Sequence, residues 1–339
     1  MDSMGKEPSA PSGTPARRHR AGRRARAAGR GMAPANGTRL YFACAGAESG
    51  PPLVLIPETG TDRRIWGNQV ASFAEHYRVV RYDLRGWGRS PRRAGVYRHA
   101  QDLAALLDWL GIERAGGVAL VGFRSGADIA LELALDQPER VAALVLVEPW
   151  LSGWILARTR PAEFDAQVER LVAAAAEPNP AKRAVRFVAT ATAASRALAR
   201  GTKLRRSWRR RWASLREWAI ALESLPRTLA MLFGGPYTDW RLLRVDDPQD
   251  LDPRAASYFT RTRTPPVYDC LEQVSAPTLV VRGTPAASLA LELDEELHAR
   301  LAGAELALLA DAPRLPHMIR PAAFNGVVLD FLRRVYPPR

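Results

Sequence analysis

Short apolar runs alternate along the chain with stretches that are apolar on one side only. Residues 39–43, 53–56, 77–82, 118–121 and 143–147 have the length and the largely apolar content of strands. Between them, residues 66–76, 99–110 and 128–135 space their apolar positions as helices do. After Trp150 the pattern is helical only, through about residue 264. Strand-like and helix-like runs then resume at 277–282, 291–301, 305–309 and 322–335. Apolar strands alternating with amphipathic helices predict an α/β fold, a mostly parallel central sheet flanked by helices. The helical stretch reads as an inserted cap subdomain. The predicted division is a basic tail over 1–35, a core over 36–150, a cap over 151–266 and the rest of the core over 267–339.

Length and composition narrow this picture. At 339 residues and 47% apolar content the chain is able to bury one large core. None of its apolar runs approaches the roughly 20 residues of a membrane span, so a soluble, cytoplasmic protein is expected. Cys44 and Cys270 lie far apart, and the five histidines form no pair at ligand spacing. No metal and no cofactor is therefore expected. The net charge of +14 is mostly arginine and is unevenly spread. Residues 1–31 carry eight basic side chains against Asp2 and Glu7, the composition of a disordered tail, and Met32 is an alternative start. Residues 182–216 hold twelve basic side chains and no acidic one, interleaved with Trp208 and Trp212. Two readings of that block stand: a docking surface for an acidic protein partner, or a solvated helix face whose tryptophans cover a pocket. Basic content alone supports no specific nucleic-acid recognition.

Several motifs follow one another in a fixed order. They are Leu53-Val54-Leu55-Ile56-Pro57-Glu58-Thr59-Gly60, Tyr82-Asp83-Leu84-Arg85-Gly86-Trp87-Gly88-Arg89-Ser90 and Val121-Gly122-Phe123-Arg124-Ser125-Gly126. Pro138-Glu139-Arg140-Val141, Pro277-Thr278-Leu279-Val280-Val281-Arg282-Gly283 and Leu315-Pro316-His317-Met318-Ile319-Arg320-Pro321 complete the series. In this order the chain resembles the α/β-hydrolase superfamily, its capped branch with haloperoxidase-like and epoxide-hydrolase-like members, over roughly 37–154 and 267–332. The resemblance implies that fold, an oxyanion turn near residue 58 and a nucleophile elbow at Gly122 to Gly126.

Within that register the catalytic triad is not retained. Arg124 stands where the family has its serine, Ala286 where it has an acid, and Arg314 where it has its histidine. Guanidinium stays protonated and offers only donors, so Arg124 is no nucleophile. A cation at a helix N-terminus calls for a nearby anion, and Glu58 and Glu148 are the candidates. The resemblance thus converges Arg124, Glu58, Glu148 and Arg314 on the old active site. Thr59 and Ser125 are expected to supply backbone oxyanion donors; His317 and Trp154 are expected beside the substrate.

The functional expectation is a non-hydrolytic protein that binds an anionic or carbonyl-bearing small molecule under its cap. By analogy with triad-less relatives, that means an isomerase, epimerase or cyclase of natural-product biosynthesis, and a pseudoenzyme among hydrolases. Two alternatives stand beside it. One is a catalytically dead scaffold using its basic cap; the other is residual hydrolysis through Ser125.

Overall fold

The computed structural model describes residues 29–59, 61–91, 97–112, 116–151, 265–286 and 288–338. Eight strands form one sheet: β1 (Arg30–Ala35), β2 (Thr38–Ala45), β3 (Pro52–Ile56), β4 (Arg78–Tyr82), β5 (Val118–Phe123), β6 (Val141–Val147), β7 (Thr278–Gly283) and β8 (Glu305–Leu309). Their spatial order is β1-β2-β4-β3-β5-β6-β7-β8. The pairs β1/β2 and β2/β4 are antiparallel, and every other pair is parallel. Among the described residues six α-helices accompany the sheet: α1 (Val70–Ala74), α2 (His99–Leu110), α3 (Ser125–Asp136), α4 (Ser288–Arg300), α5 (Pro316–Ile319) and α6 (Pro321–Val335).

The central strands are continuous apolar runs because both of their faces are covered. All six residues of β5 are buried, as are the last five of β6. On one face Leu103, Leu107, Ile129, Leu133 and Leu297 from α2, α3 and α4 pack against Val54, Leu120 and Leu144. On the other, Phe73 of α1 and Phe324, Val328 and Leu332 of α6 pack against Leu55, Val121 and Val145. Spacings of three and four residues in α2 and α6 place these side chains in one stripe each.

The strand β1 lies inside the stretch expected to be tail. Asn36 and Gly37, with φ of 40° and 76°, form the tight turn that pairs β1 with β2, and Asn-Gly is the dipeptide that such a hairpin favours. Arg85 then clamps the hairpin to α2. Its Nε and Nη2 donate to Asp102 at 2.7 and 2.6 Å, and Nη2 also donates to the Asn36 carbonyl at 2.7 Å. The core therefore begins at residue 30 at the latest, not 36. The run expected as one helix over 66–76 is a 3-10 turn, Arg63–Trp66, followed by α1. The segments 1–28 and 152–264, which include the predicted cap, Trp154 and the basic block 182–216, lie outside the described residues. Among the described residues no helix is long and apolar enough to cross a membrane, and no cluster of His, Cys, Asp and Glu is arranged for a metal.

Candidate active site

From β3 the chain steps to β4 on one side, then crosses back to β5 on the other. A parallel sheet opens a crevice at such a reversal, beyond the carboxyl ends of the two diverging strands. Glu58 lies two residues beyond β3 and Arg124 one beyond β5. Their side chains meet there, with Nη1 of Arg124 3.5 Å from Oε2 of Glu58.

The backbone at Arg124 has φ 50° and ψ −110°, a region that costs an L-residue on the order of 1–3 kcal/mol. Two glycines make the turn possible. A Cβ on Gly122 would stand 2.3 Å from the Gly126 carbonyl, and one on Gly126 would stand 2.5 Å from the Ile56 carbonyl. The Arg124 N–H donates to the Val147 carbonyl at 2.9 Å, tying the turn to β6. This is the strained strand-to-helix turn expected from the spacing, and the residue at its apex is Arg124, not Ser125.

Ser125 opens α3, and its hydroxyl is turned toward the loop after β3. Its Oγ accepts the Thr59 N–H at 2.9 Å and lies 3.2 Å from Thr59 Oγ1. The Thr59 N–H, expected as an oxyanion donor, is thus directed at the Ser125 hydroxyl. Burial lifts the Glu58 carboxyl above its ordinary range, and the Arg124 guanidinium only partly opposes this.

Glu148 follows β6 with φ 49° and is buried. Its Oε2 accepts from Arg282 Nη1 at 2.8 Å and its Oε1 accepts the Gly283 N–H at 2.7 Å. Arg282 in turn donates to both oxygens of Asp294, at 2.7 and 2.6 Å. Glu148 is therefore engaged with β7. Sequence reasoning assigned no role to Arg282 or Asp294. The available signal was a charge at the end of an otherwise apolar strand, which demands a partner. Arg314, after β8, has φ 65°. Burial, and the neighbouring Arg124 charge, depress its pKa, while Glu148 opposes them. Three of the five non-glycine residues with positive φ, among the described residues, are thus Arg124, Glu148 and Arg314.

The expectation for His317 requires correction. Its side chain is wholly buried, with its ring 4.6 Å from Phe123, 4.7 Å from Trp66 and 5.9 Å from Phe324. Neither ring nitrogen has a hydrogen-bond partner among the described residues. It is a core residue behind the elbow, neither a substrate contact nor a base for Ser125. The site residues that the structure brings together are Arg124 with Glu58, Thr59 with Ser125, and Arg314 within the fields of Arg124 and Glu148.

A family model described as alpha/beta hydrolase fold matches residues 51–284. Among curated relatives, a protein of Azorhizobium caulinodans named carbamate hydrolase RutD is 37% identical over 114 residues, 33% of this chain and 41% of that one. A protein of the same name from Klebsiella pneumoniae subsp. pneumoniae is 42% identical over 118 residues, 34% and 43% of the two chains. The chain spans about two-fifths of the length of these relatives. Among solved structures, a hydrolase from Pseudomonas aeruginosa PA01 superposes with a TM-score of 0.65 at 25% identity, over 89% of this chain and 98% of that one. The enol-lactonase from Burkholderia xenovorans LB400 superposes with a TM-score of 0.62 at 23% identity, over 89% and 99%.

These relatives overturn the non-hydrolytic expectation. They carry the names of hydrolases, not of isomerases, epimerases or cyclases, and none is described as a pseudoenzyme. The expectation leaned on the missing triad alone. Losing the serine removes one attacking group, yet water activated by a carboxylate is another route to the same bond cleavage.

Proposed function

Because the chain belongs to the α/β-hydrolase fold family, we propose that it hydrolyses a small carbonyl compound of the ester, lactone or carbamate class, with water as the attacking oxygen. The observation that carries this reading is the Glu58–Arg124 pair, a carboxylate of raised pKa facing a fixed cation at the mouth of the strand reversal.

Glu58 takes a proton from a water molecule while the water oxygen bonds to the carbonyl carbon. The carbonyl π electrons move to oxygen, and the resulting oxyanion is compensated by the Arg124 guanidinium and by the positive end of α3. Collapse of the tetrahedral intermediate expels the alkoxide or amine, which recovers the proton from Glu58. No acyl-enzyme forms. Raised basicity suits this role, since a general base works best with a pKa near the working pH.

Purified protein assayed on p-nitrophenyl esters and carbamates tests the proposal. Glu58→Gln should lower kcat/KM by about 10²-fold or more, the usual worth of a positioned base. The wild-type rate should fall as the pH drops through the Glu58 value, which lies above the ordinary carboxylate range. An unchanged rate in Glu58→Gln would remove Glu58 from the chemistry.

A second reading rests on the hydroxyl pair, Ser125 Oγ 3.2 Å from Thr59 Oγ1 beside the elbow. In that case Ser125 attacks and forms an acyl-enzyme. A fluorophosphonate probe that labels wild type but not Ser125→Ala, with parallel loss of turnover, would select it.

A further inference from the structure

Arg124 ends in a long side chain of many rotamers, a third exposed. Glu58 is a loose tether for it. Nη1 stands 3.5 Å from Oε2, against roughly 2.7–2.9 Å for a charge-assisted hydrogen bond. A second contact comes from the preceding residue. Arg124 Cζ lies over the Phe123 ring, 5.6 Å from its centroid, inside the about 6 Å over which the negative face of a ring attracts a cation. The ring itself is fixed. Phe123 closes β5, is wholly buried, and sits in register with Val147 of β6. Its centroid is 4.6 Å from that of His317 and 6.5 Å from that of Trp66, the latter at 86°, an edge-to-face arrangement that aromatic pairs prefer. Trp66 and His317 are in turn 4.7 Å apart. Three elements thus close on one ring: the 3-10 turn that follows the Glu58 loop, the end of β5, and α5 after Arg314.

We infer that Phe123 is a positioning residue: the face of its ring holds the Arg124 guanidinium at the strand reversal, within reach of Glu58. The inference deepens the hydrolase reading and rests on it for what the held charge does, namely to compensate the oxyanion beside the water that Glu58 activates. Without the ring face, the guanidinium is left to the carboxylate alone, and so long a contact orients it poorly. Glu58 then loses the charge that opposes its upward shift. The titration of Glu58 therefore reports where Arg124 points, whether or not a substrate turns over.

NMR of the side-chain carboxyls, with Glu58 assigned by Glu58→Gln, tests this without turnover. Arg124→Met should raise the Glu58 pKa, because it removes the opposing charge. Phe123→Leu should raise it by at least half as much. Pentafluorophenylalanine at position 123, which keeps the ring and its packing but reverses the charge of its face, should act in the same direction. Neither change should raise it further once Arg124 is replaced by methionine. Phe324→Leu, which loosens the same aromatic core at a ring 5.9 Å from His317, should leave Glu58 as in wild type. An unmoved Glu58 in the pentafluoro form, a rise that survives Arg124→Met, or an equal rise in Phe324→Leu would each overturn the inference. Thermal melts report folding, and the pentafluoro form decides the matter if Phe123→Leu does not fold. Failure of the two readings is separable. A coupled titration with no ester hydrolysis keeps Phe123 as the support of Arg124 and removes the hydrolase reading, whereas Glu58-dependent hydrolysis with an uncoupled titration removes the role of Phe123 alone.

Discussion

His317 places two polar nitrogens inside a box of aromatic rings, with Trp66 Nε1 and Gln69 Oε1 also lacking partners close by. Desolvation, and next the charge of Arg124, lower its pKa from 6.5 to about 3. A folded-state pKa below the unfolded one means that the unfolded chain binds the extra proton first. Stability from this residue is therefore complete above pH 6.5 and declines as the pH falls from there toward 3. Urea titrations across that window should show His317→Leu with a flatter acid limb than wild type; parallel limbs would mean that another group sets the acid sensitivity. At this scale the apex residue was legible, because two glycines four positions apart leave only one side chain between them free to point outward. Charge logic, within the register of the family resemblance, offered Glu58 and Glu148 as partners for Arg124, and the structure pairs it with Glu58. The engagement of Glu148 with Arg282, 134 residues away in sequence, did not follow from it. Nor did the Thr59–Ser125 bond, since both depend on how separate loops dock.

The elbow as an element depends on close backbone approach more than on any charged group. Gly122→Ala should cost about 3 kcal/mol or more, because its methyl would be driven into the Gly126 carbonyl and backbone has nowhere to go. Gly326→Ala on the exposed side of α6 makes the contrast, for nothing lies within 4 Å of the added methyl there. That change should stabilise by up to about 1 kcal/mol through helix propensity. Chemical denaturation of the two variants checks both signs. Most strands and helices were legible from period and length: β8 is read with the same bounds, and α2 with the same bounds, in sequence and structure. What escaped was β1, a strand of small residues including Ala33 and Ala35 that carries little hydrophobic signal of its own. Its turn, Asn36-Gly37, was the available clue. Among further misses, the break between the 3-10 turn and α1 falls at Gly67-Asn68-Gln69, where no proline marks it, and the short α5 was not read as a helix.

Across the whole molecule, the order of strands settles where chemistry is possible before any side chain is considered. Alternating strands and helices predicted a mostly parallel sheet but not its strand order; the structure supplies the reversal between β3 and β5, and the charges at 58 and 124 sit over it. At the opposite edge, the hairpin is held by the buried Arg85–Asp102 pair and by the Asn36 carbonyl. Removing residues 1–36 would take away β1, expose the outer edge of β2 and strip Asp102 of its Asn36 partner. The shortened chain should melt several degrees below the full one, on the scale of about 4–8 °C per kcal/mol lost in a small domain and less in a larger one. Identical melting would assign the edge strand no structural weight.

Backbone tension at Arg124, Glu148 and Arg314 belongs to the loops and not to the chemistry of the side chains they carry. A hydroxyl written at 124 and an imidazole at 314 would inherit those presentation angles, while the carboxylate at 148 stays engaged with Arg282 and the Gly283 N–H. The scaffold is in that sense a ready socket, and installing a different catalytic repertoire in it is a matter of exchanging plugs without rebuilding the wall.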